Sequence, residues 1–534
     1  MEPALTPSLQ EFKKLSRSGF RVPVAAVLPL ESDARSLFEA AGFSAPCVLL
    51  ESARLHPVTG RYSLIAGEPS GSLIVSGGGG DPFAALEKKL QARRAVRIPG
   101  FPPFVGGAVG VIGFEASKRL EKLPSRAEDD LHLPDLAFLF FDEAVVLDHL
   151  ERKLWIIALA KGNDDRSYAQ AAVRIERLAG RLGGSAVPLP REGEAGPGTS
   201  ATALARFPPG RAFSWPFSPT RAGKRGEDSS EGRPAGVGRA LPGRPHRNGG
   251  WHGPDSLVST HTRESFEAMV RRAKELIAAG DIYQANLSQR FTAPLTEEPW
   301  DLYKRLMEIN PSPFAAFADF GSFQIVSASP ERLLRVQGDR AQTRPIAGTR
   351  PRGATAVETA RLRRELLLNE KERAEHLMLV DLERNDLGRI CRYNTVRVDD
   401  LMGLEEYSHV IHIVSNVQGR LKPGTGFRER MTALFPGGTI SGCPKIRCLE
   451  IIDELEPVRR HFYTGSLGYV SDSGEMDLNI LIRTAVVTGA QVHVQAGAGI
   501  VADSDPGREY EETLHKAQAL LEVISPAGRE LVEA

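Results

Sequence analysis

The sequence predicts an α+β fold, and three observations lead to this class. Stretches with helical periodicity and stretches with strand periodicity are mixed in both the first and the last part of the chain. They do not follow the regular strand–helix–strand alternation of a doubly wound sheet. The composition, 41% hydrophobic and 25% charged residues, is typical of a folded globular protein. We therefore expect helices packed on sheets, in a chain of 534 residues that is long enough for more than one domain.

The first part of the chain, residues 1–183, alternates helical and strand patterns. Residues 8–15 have the apolar spacing of a short amphipathic helix. Residues 136–147 and 154–160 are apolar stretches of the kind that form buried strands. We therefore expect an N-terminal domain that combines helices and strands.

The middle part, residues 184–256, has a different composition. Gly, Pro, Arg and Ser dominate, and segments such as Arg206–Arg211 and Gly243–Gly250 show no usable period. Such a segment cannot bury enough apolar surface to offset the entropy that is lost on ordering. We therefore predict a disordered insertion. Its arginines suit contact with an acidic partner, but a solvated spacer explains the same composition.

The last part, residues 257–527, returns to regular periodicity. A helix is predicted from apolar residues that share one face, namely Phe266, Met269, Val270, Ala273 and Ile277. Gly280 is placed to end this helix. The further elements are a strand over 282–291, a helix over 300–309, strands over 468–471, 481–487 and 492–495, and a final helix that carries Glu511 and Glu512.

Charge balance and cysteine content exclude several classes of protein. Lys+Arg and Asp+Glu are equal at 67 each, so no whole-chain field attracts nucleic acid or a membrane surface. No apolar run is long enough to span a bilayer, and the N-terminus lacks the pattern of a secretory signal. Neither zinc-type nor redox spacing relates the four cysteines, Cys47, Cys391, Cys443 and Cys448. We expect a cytoplasmic protein with reduced thiols that binds neither nucleic acid nor membrane.

Two groups of carboxylates are candidate ligands for a divalent cation. Glu375 and His376 directly precede the apolar segment Leu377–Val380, so some of these polar groups must approach the core. Glu511 and Glu512 raise the same question in the last helix. Buried carboxylates need a metal or a charge partner, and carboxylates with water and substrate oxygens are the usual ligands of Mg²⁺. Solvent-exposed helix charges are the ordinary alternative, and sequence alone does not bring the two groups together.

Glycines and an arginine indicate an anionic ligand. Gly497 and Gly499 follow a predicted strand, where glycine permits close approach of the backbone to a ligand; a tight turn is the ordinary alternative. Arg483 lies in the apolar stretch 481–487, where a guanidinium group needs an anionic partner such as a carboxylate. His412, also among apolar residues, is ordinarily structural. Together these features suggest a small polyanionic substrate that is held with a divalent cation.

Seven blocks of residues occur in an order that is specific to one enzyme family. They are Gly280–Phe291, Arg344–Gly353, Lys371–Gly388, Tyr407–His412, Pro436–Lys445, Ile482–Thr484 and Gln495–Val501. The region over about 259–527 that contains them resembles the chorismate-binding domain of anthranilate, aminodeoxychorismate, isochorismate and salicylate synthases. The resemblance implies a large mixed β-sheet sandwich that is flanked by helices and that acts on chorismate.

The resemblance also implies a role for each candidate residue. Glu375 and Glu512 would hold Mg²⁺, which would bind the ring carboxylate of chorismate. His412 and Thr439 would lie at the leaving hydroxyl group, with Gln284 near the position of the nucleophile. The carboxylates of the substrate would be held by Gly348, Thr349, Tyr463, Arg483, Gly497, Ala498 and Gly499.

Two positions favour anthranilate synthase over the other family members. Gln284 occupies the position where members that use water have a lysine base, and a neutral amide cannot deprotonate water. Ala347 occupies the position where many aminodeoxychorismate synthases have a nucleophilic lysine. Segments 329–332 and 476–480 instead resemble aminodeoxychorismate synthase. We therefore predict ammonia as nucleophile and anthranilate and pyruvate as products, with 4-amino-4-deoxychorismate as the alternative product.

A regulatory site is predicted in the N-terminal part. Leu49–Ser52 resembles the segment that helps anthranilate synthase to bind tryptophan as a feedback inhibitor. Ser52 would lie near the polar end of tryptophan, and Pro313 and Phe314 would close the pocket. The alternative is that this segment only ends a strand, since Phe314 and Ala315 depart from the Tyr-Met pair of feedback-sensitive enzymes.

The source of ammonia must lie outside this chain. No cysteine has the setting of a glutaminase nucleophile, so the resemblance implies a separate glutamine amidotransferase subunit. Two readings from other classes stay open: a non-catalytic protein that binds chorismate or tryptophan, and an RNA-binding protein that uses the arginine-rich insertion. The intact metal, arginine and glycine positions argue against the first, and the second requires nucleic-acid binding that depends on residues 190–250.

Overall fold

The computed structural model describes residues 4–54, 59–77, 80–162, 164–183, 257–353, 355–406 and 410–525. The predicted disordered insertion at 184–256 lies outside these residues, as do positions 407–409 of one family block. In the part of the chain that is described, no helix is both long and apolar enough to cross a membrane.

Eleven α-helices occur among the described residues, and the first shows how local sequence sets a helix end. The Glu11 N–H donates to Ser8 Oγ at 3.4 Å, and the Ser8 N–H donates to the Glu11 carboxylate at 2.9 Å, which is a reciprocal cap. In chain order the helices are α1 (Leu9–Leu15), α2 (Ala34–Ala41), α3 (Pro82–Gln91), α4 (Asp165–Arg181), α5 (Arg263–Ala278), α6 (Pro299–Ile309), α7 (Ala356–Leu368), α8 (Glu370–Ile390), α9 (Phe427–Leu434), α10 (Lys445–Leu455) and α11 (Pro506–Ile524).

The strands of the described residues belong to two sheets. In chain order they are β1 (Leu5–Thr6), β2 (Val22–Pro29), β3 (Cys47–Glu51), β4 (Tyr62–Gly67), β5 (Gly71–Val75), β6 (Gly107–Ile112), β7 (Leu136–Phe141), β8 (Glu143–Asp148), β9 (Lys153–Ala160), β10 (Val258–Ser259), β11 (Gln284–Pro294), β12 (Phe314–Asp319), β13 (Gln324–Ser329), β14 (Arg332–Gln337), β15 (Arg340–Arg344), β16 (Ile346–Pro351), β17 (Arg397–Glu406), β18 (Val410–Arg420), β19 (Gly442–Cys443), β20 (Ser466–Ser471), β21 (Met476–Asn479), β22 (Thr484–Thr488) and β23 (Gln491–Ile500).

Within the described ranges, one sheet has 13 strands and the other has 10. The larger runs β1-β2-β9-β8-β4-β3-β12-β13-β22-β23-β11-β10, with β19 paired to β11. The smaller runs β16-β18-β15-β14-β21-β20-β6-β7-β5, with β17 paired to β18. Strands from before and after the insertion pair directly and antiparallel in both sheets, β3 with β12 and β6 with β20. The two ordered parts of the chain therefore share their sheets and form one compact unit.

The two sheets pack face to face, and helices cover their outer faces. In β2, Val24 and Ala26 join an apolar cluster with residues of α4, α6 and α11, whereas Ala25 joins a cluster with residues of β6 and β7. This alternation follows from the two-residue period of a strand. Residues of α3, α8 and α9 cover the outer face of the 10-stranded sheet. The predicted α+β sandwich flanked by helices is confirmed.

Three details of the strand predictions are wrong. The stretch 136–147 is two strands, β7 and β8, which lie in different sheets. The strand predicted over 481–487 begins only at Thr484, and Arg483 precedes it with a positive φ of 53°. Gly497 and Gly499 lie inside β23 instead of after its end. Apolar patterns do not show where a buried chain passes from one sheet to the other, because the residues on both sides of the crossing are equally apolar.

Candidate active site

The predicted site residues converge where α8 and α11 approach β11 and β23. Gln284 begins β11, and Asn286 pairs with Gly499 of β23. From α8, the Glu375 carboxylate accepts a hydrogen bond from Gln284 Nε2 at 3.3 Å. Desolvation raises the pKa of Glu375, and the nearby charge of Glu512 from α11 adds to this rise. The fold thus brings together two carboxylates that are far apart in the sequence.

These two carboxylates have the donor chemistry of a magnesium site. In the described parts of the chain, no group of three or more His, Cys, Asp and Glu side chains is placed to hold a metal ion. Mg²⁺ commonly takes one or two carboxylates and completes its coordination with water and substrate oxygens. Glu375 and Glu512 therefore fit an ion that is shared with an anionic substrate, and they do not fit a closed structural metal site.

Two cationic side chains lie beside the carboxylates. Lys516 Nζ is 2.6 Å from Glu512 Oε1 and donates to the Gly497 carbonyl oxygen at 3.1 Å. Arg483 donates from Nη1 to the Lys516 carbonyl oxygen. Desolvation lowers the pKa of Arg483, and the nearby Tyr463 and Glu512 counteract this. Sequence reasoning missed Lys516, although its position four residues after Glu512 places both on one helix face.

The glycines of β23 bring its backbone unusually close to neighbouring groups. A Cβ atom added at Gly497 would lie 2.6 Å from a carbonyl oxygen of β11 and 2.9 Å from the Tyr463 hydroxyl oxygen. A Cβ atom at Gly499 would lie 2.7 Å from Gln284 Nε2. Ala498, between them, is fully buried in an apolar cluster, so only its backbone can contact a substrate. Backbone packing therefore requires glycine at Gly497, whereas at Gly499 only the end of the Gln284 side chain would have to move.

His412 lies in β18, where its Cα partner on β16 is Thr349. Desolvation, together with the charge of Arg483, lowers the pKa of His412 to about 4. The imidazole is therefore neutral at pH 7. The neighbouring Gly348 has a φ of +69°, and an added Cβ atom would lie 2.2 Å from the Glu372 carboxylate. This segment places a neutral histidine beside a glycine whose positive φ disfavours other residues.

The structure adds a buried acid that sequence reasoning did not assign to the site. Glu331, between β13 and β14, is only 4% exposed, and burial raises its pKa to about 7. Interactions with Thr439 and with Lys516 act against this rise. Thr439 lies in the short 3₁₀ helix Gly438–Ile440. A carboxyl group that is partly protonated near neutral pH is a candidate proton donor, and its only sequence signal is a charged residue at a buried strand end.

A buried ion pair, Arg460 with Glu456, contacts β11 next to the site. Arg460 donates to Glu456 Oε2 at 2.8 Å and to Oε1 at 2.6 Å, and also to the Asn286 carbonyl oxygen at 2.6 Å. Glu456 Oε1 accepts from the Ser288 N–H and hydroxyl group, both at 2.8 Å. Breaking a buried pair costs about 3–5 kcal/mol. These contacts fix β11 relative to the segment that carries Tyr463.

A cavity apart from this site lies between the two sheets and has a volume of about 220 Å³. Ser52, Pro313 and Phe314, which the sequence assigns to one regulatory pocket, all line it. Arg332 lies against the Phe314 ring at 5.1 Å and donates to both oxygens of Asp477, at 2.8 and 2.9 Å. The fold therefore gathers the three predicted residues around one partly apolar space.

The fold and the first site combine paired carboxylates, an arginine and a glycine-rich strand, which are groups suited to a small anionic substrate. The family comparison agrees, because the model of the chorismate binding enzymes matches residues 223–522. The chain belongs to the chorismate binding enzyme family.

Named relatives cover most of this chain. The anthranilate synthase component 1 of Streptomyces coelicolor is 42% identical over 480 residues, which are 90% of this chain and 84% of that protein. The aminodeoxychorismate synthase component 1 of Bacillus subtilis is 38% identical over 496 residues, 90% and 92% of the two chains. The crystal structure of anthranilate synthase component I from Streptococcus pneumoniae has a TM-score of 0.67 at 32% identity and covers 87% and 93%. The resemblance stated from the sequence is confirmed.

Proposed function

We propose that this chain is the large component of an anthranilate synthase, which uses ammonia and Mg²⁺ to convert chorismate to anthranilate and pyruvate. The observation that carries the proposal is the neutral amide of Gln284 at 3.3 Å from Glu375. Family members that use water have a lysine base at this position, and an amide cannot replace it. Ammonia needs no base to become a nucleophile, so it suits this site.

In this proposal the substrate is held by its charges. Glu375 and Glu512 hold Mg²⁺, which when bound supplies Lewis-acid stabilisation of the substrate's ring carboxylate. Arg483 and the backbone N–H groups of β23 bind the carboxylates of the substrate, and the Tyr463 hydroxyl donates to them. Burial raises the pKa of Tyr463 well above its usual value, so this hydroxyl keeps its proton.

The leaving hydroxyl group needs a proton, and we assign Glu331, Thr439 and His412 to this step. A bond forms between ammonia nitrogen and the ring while the ring hydroxyl takes a proton and leaves as water. Glu331, whose pKa burial raises to about 7, supplies this proton, and Thr439 beside it orients the group. His412 stays neutral because its pKa is about 4, and it acts as a hydrogen-bond partner. Loss of pyruvate then gives anthranilate.

The product is assigned from Ala347, which lies buried in β16. A methyl group cannot form the covalent intermediate that a lysine forms at this position in many aminodeoxychorismate synthases. The alternative product, 4-amino-4-deoxychorismate, is supported by the Ser329–Arg332 segment and by the Bacillus subtilis relative. The non-catalytic and RNA-binding alternatives have no such support among the site residues.

Ammonia would come from a separate glutamine amidotransferase subunit in the cytoplasm. The relatives named component 1 support a partner component. The four cysteines are free thiols, and none shows the lowered pKa of a nucleophile: burial raises the pKa of Cys391 to about 11 and that of Cys448 to about 12. This chain alone should use ammonium salts and should fail to use glutamine.

The proposal is tested by incubating the purified chain with chorismate, MgCl₂ and an excess of ammonium, and separating the products. Fluorescent anthranilate together with pyruvate supports anthranilate synthase. An amino product without pyruvate assigns the chain to aminodeoxychorismate synthase. Parallel reactions with a chelator, and with glutamine in place of ammonium, are the controls. If chorismate is not consumed, the result supports the non-catalytic binding protein.

We further propose that tryptophan inhibits the enzyme from the cavity lined by Ser52, Pro313 and Phe314. Residues from strands of both sheets line the cavity. A ligand bound there can therefore favour one arrangement of the two sheets. Tryptophan would then raise the chorismate concentration needed for half-maximal rate. An unchanged saturation curve at millimolar tryptophan contradicts this part of the proposal.

A further inference from the structure

The ammonium group of Lys516 lies beside the carboxylates that would hold the metal. Its Nζ atom is 2.6 Å from Glu512 Oε1 and 3.1 Å from the Gly497 carbonyl oxygen. Desolvation raises the pKa of Glu375 and of Glu331, and the charge of Lys516 counteracts both rises. Lys516 therefore contacts Glu512 and the glycine segment of β23, where a Cβ atom added at Gly499 would lie 3.9 Å from Glu375 Oε1.

Both the main chain and the ammonium group of Lys516 make hydrogen bonds to other elements. Lys516 follows Glu512 by one helical turn in α11, and its carbonyl oxygen accepts a hydrogen bond from Arg483 Nη1. The side chain then spans from α11 to the Gly497 carbonyl of β23. The ammonium group thus has two acceptors, one on α11 and one on β23, in a pair whose side chains are 36% and 46% exposed.

Two neighbouring carboxylates in a partly desolvated site favour a cation beside them, because it offsets the repulsion between their charges. We propose that Lys516 is the built-in counter-ion of Glu375 and Glu512, and that a divalent cation displaces its ammonium group from Glu512 on binding. The inference rests on the proposed function for one point, namely that these two glutamates are metal ligands.

The displacement has a consequence for the order of binding. Metal binding to the free enzyme is weakened, because the ion must compete with an ammonium group that is already in place. The displaced ammonium group can then pair with an anionic substrate. Once it does so, it no longer competes with the metal ion for Glu512. Divalent cations should therefore bind more tightly when chorismate is present than when it is absent.

Titration of the substrate-free, full-length protein with Mn²⁺ tests the proposal, with free ion measured by its paramagnetic resonance signal. Lys516→Met removes the charge and should lower the Kd for Mn²⁺ about three- to tenfold. Lys516→Arg retains the charge and should bind like the wild type. Lys153→Met is the matched control: it breaks a 2.7 Å pair with Glu151 elsewhere, changes the net charge equally and should leave the Kd unchanged.

A second comparison tests whether the effect passes through Glu512. In a Glu512→Gln background, Lys516→Met should tighten Mn²⁺ binding much less than in the wild type, and a thermodynamic cycle over the four proteins measures this coupling. Lys516→Gln repeats the comparison if the Met variant melts at a lower temperature than the wild type. An equal or higher Kd in a folded variant without the charge would overturn the proposal.

The outcome is separable from that of the proposed function, because the titration uses no chorismate. A wild-type chain that makes anthranilate, with no tightening in Lys516→Met, refutes the counter-ion alone. Tighter Mn²⁺ binding in a chain that makes another product supports the counter-ion and refutes the assigned product.

Discussion

The region around Glu375 and the cavity at Ser52 differ in whether their charged groups have partners. Around Glu375, desolvation raises the pKa of several carboxyl groups, so their negative charge is costly without a partner. In the cavity, Arg332 already pairs with both oxygens of Asp477, and the Ser52 hydroxyl donates to a backbone carbonyl oxygen at 2.7 Å. The first region is suited to receive a cation and an anionic substrate, whereas in the second the charged groups already pair with each other and only Thr59 Oγ1 and Arg332 Nη1 are buried without a hydrogen-bond partner among the described lining residues.

The comparison indicates what substitutions should do in each region. Removing a charge near Glu375 should abolish chemistry while leaving the fold stable or more stable, because the charge is unfavourable in the empty site. Changes at the cavity should leave the basal rate intact and alter only the response to tryptophan.

The largest effect is expected for Glu375→Gln. The variant loses one of two carboxylates for Mg²⁺ and should reduce the rate of chorismate amination roughly 10²- to 10³-fold at saturating ammonium. Glu370→Gln, an exposed change in the first turn of the same helix, is the control and should retain activity. Rates for Glu375→Gln that match the control at limiting Mg²⁺ would show that the ligands are wrongly assigned.

The next largest effect is expected for Glu331→Gln. Loss of the proton donor should lower kcat about 10²-fold with little change in KM. Because burial raises the pKa of Glu331 to about 7, wild-type kcat should decline as the pH rises through this value, and the variant should lack that decline. A pH profile that is the same in both proteins contradicts the role of Glu331.

The pH dependence of the unfolding free energy is an independent test of Glu331. The pKa of Glu331 is higher in the folded state than the usual glutamate value, so its contribution to stability is present at low pH and lost as the pH rises through about 7. Between pH 5 and pH 8 the wild type should therefore lose up to about 3 kcal/mol more of its unfolding free energy than Glu331→Gln. Parallel curves from denaturant titrations would show that Glu331 is not desolvated in solution.

A smaller, regulatory effect is expected at Ser52. Millimolar tryptophan should raise the half-saturating chorismate concentration about tenfold in the wild type. Ser52→Ala should weaken this inhibition and keep the rate measured without tryptophan. Ser473→Ala, in a turn away from the cavity, should respond like the wild type. Inhibition that is unaffected by Ser52→Ala would place the tryptophan site elsewhere.

The last prediction concerns stability and uses Gly497→Ala. Its Cβ atom would lie 2.6 Å from a backbone carbonyl oxygen, so the variant should lose about 1–3 kcal/mol of unfolding free energy. Gly180→Ala, in α4 with no atom within 4 Å of the new Cβ, should instead gain about 0.4–1 kcal/mol. Equal stability of the two variants would refute the close approach at β23.

The fold class was predictable because local patterns set the elements, but their pairing was not. The cap at Ser8 and the helix end at Ile309 follow from residues close in sequence. The division of 136–147 between two sheets depends on partners far along the chain, β5 for β7 and β4 for β8. When a buried strand has apolar residues on both faces, its sequence does not indicate which sheet the strand belongs to.

The site was predictable where residues match the family blocks, and not where desolvation decides their chemistry. Glu375, Glu512 and Arg483 are visible as charges in apolar surroundings or through the resemblance. Glu331 and Lys516 acquire their significance from neighbours on other elements, Thr439 for the first and the Gly497 carbonyl for the second. A pKa that is set by burial cannot be read from the identity of a residue.

The central claim is that this chain aminates chorismate and releases pyruvate. The most direct measurement is a quenched time course with the wild-type chain, MgCl₂ and ammonium, in which chorismate, anthranilate and pyruvate are quantified in the same samples. The account predicts that anthranilate and pyruvate appear in equal amounts as chorismate disappears, and that chelation of Mg²⁺ stops all three changes. Consumption of chorismate with an amino product and no pyruvate would contradict it.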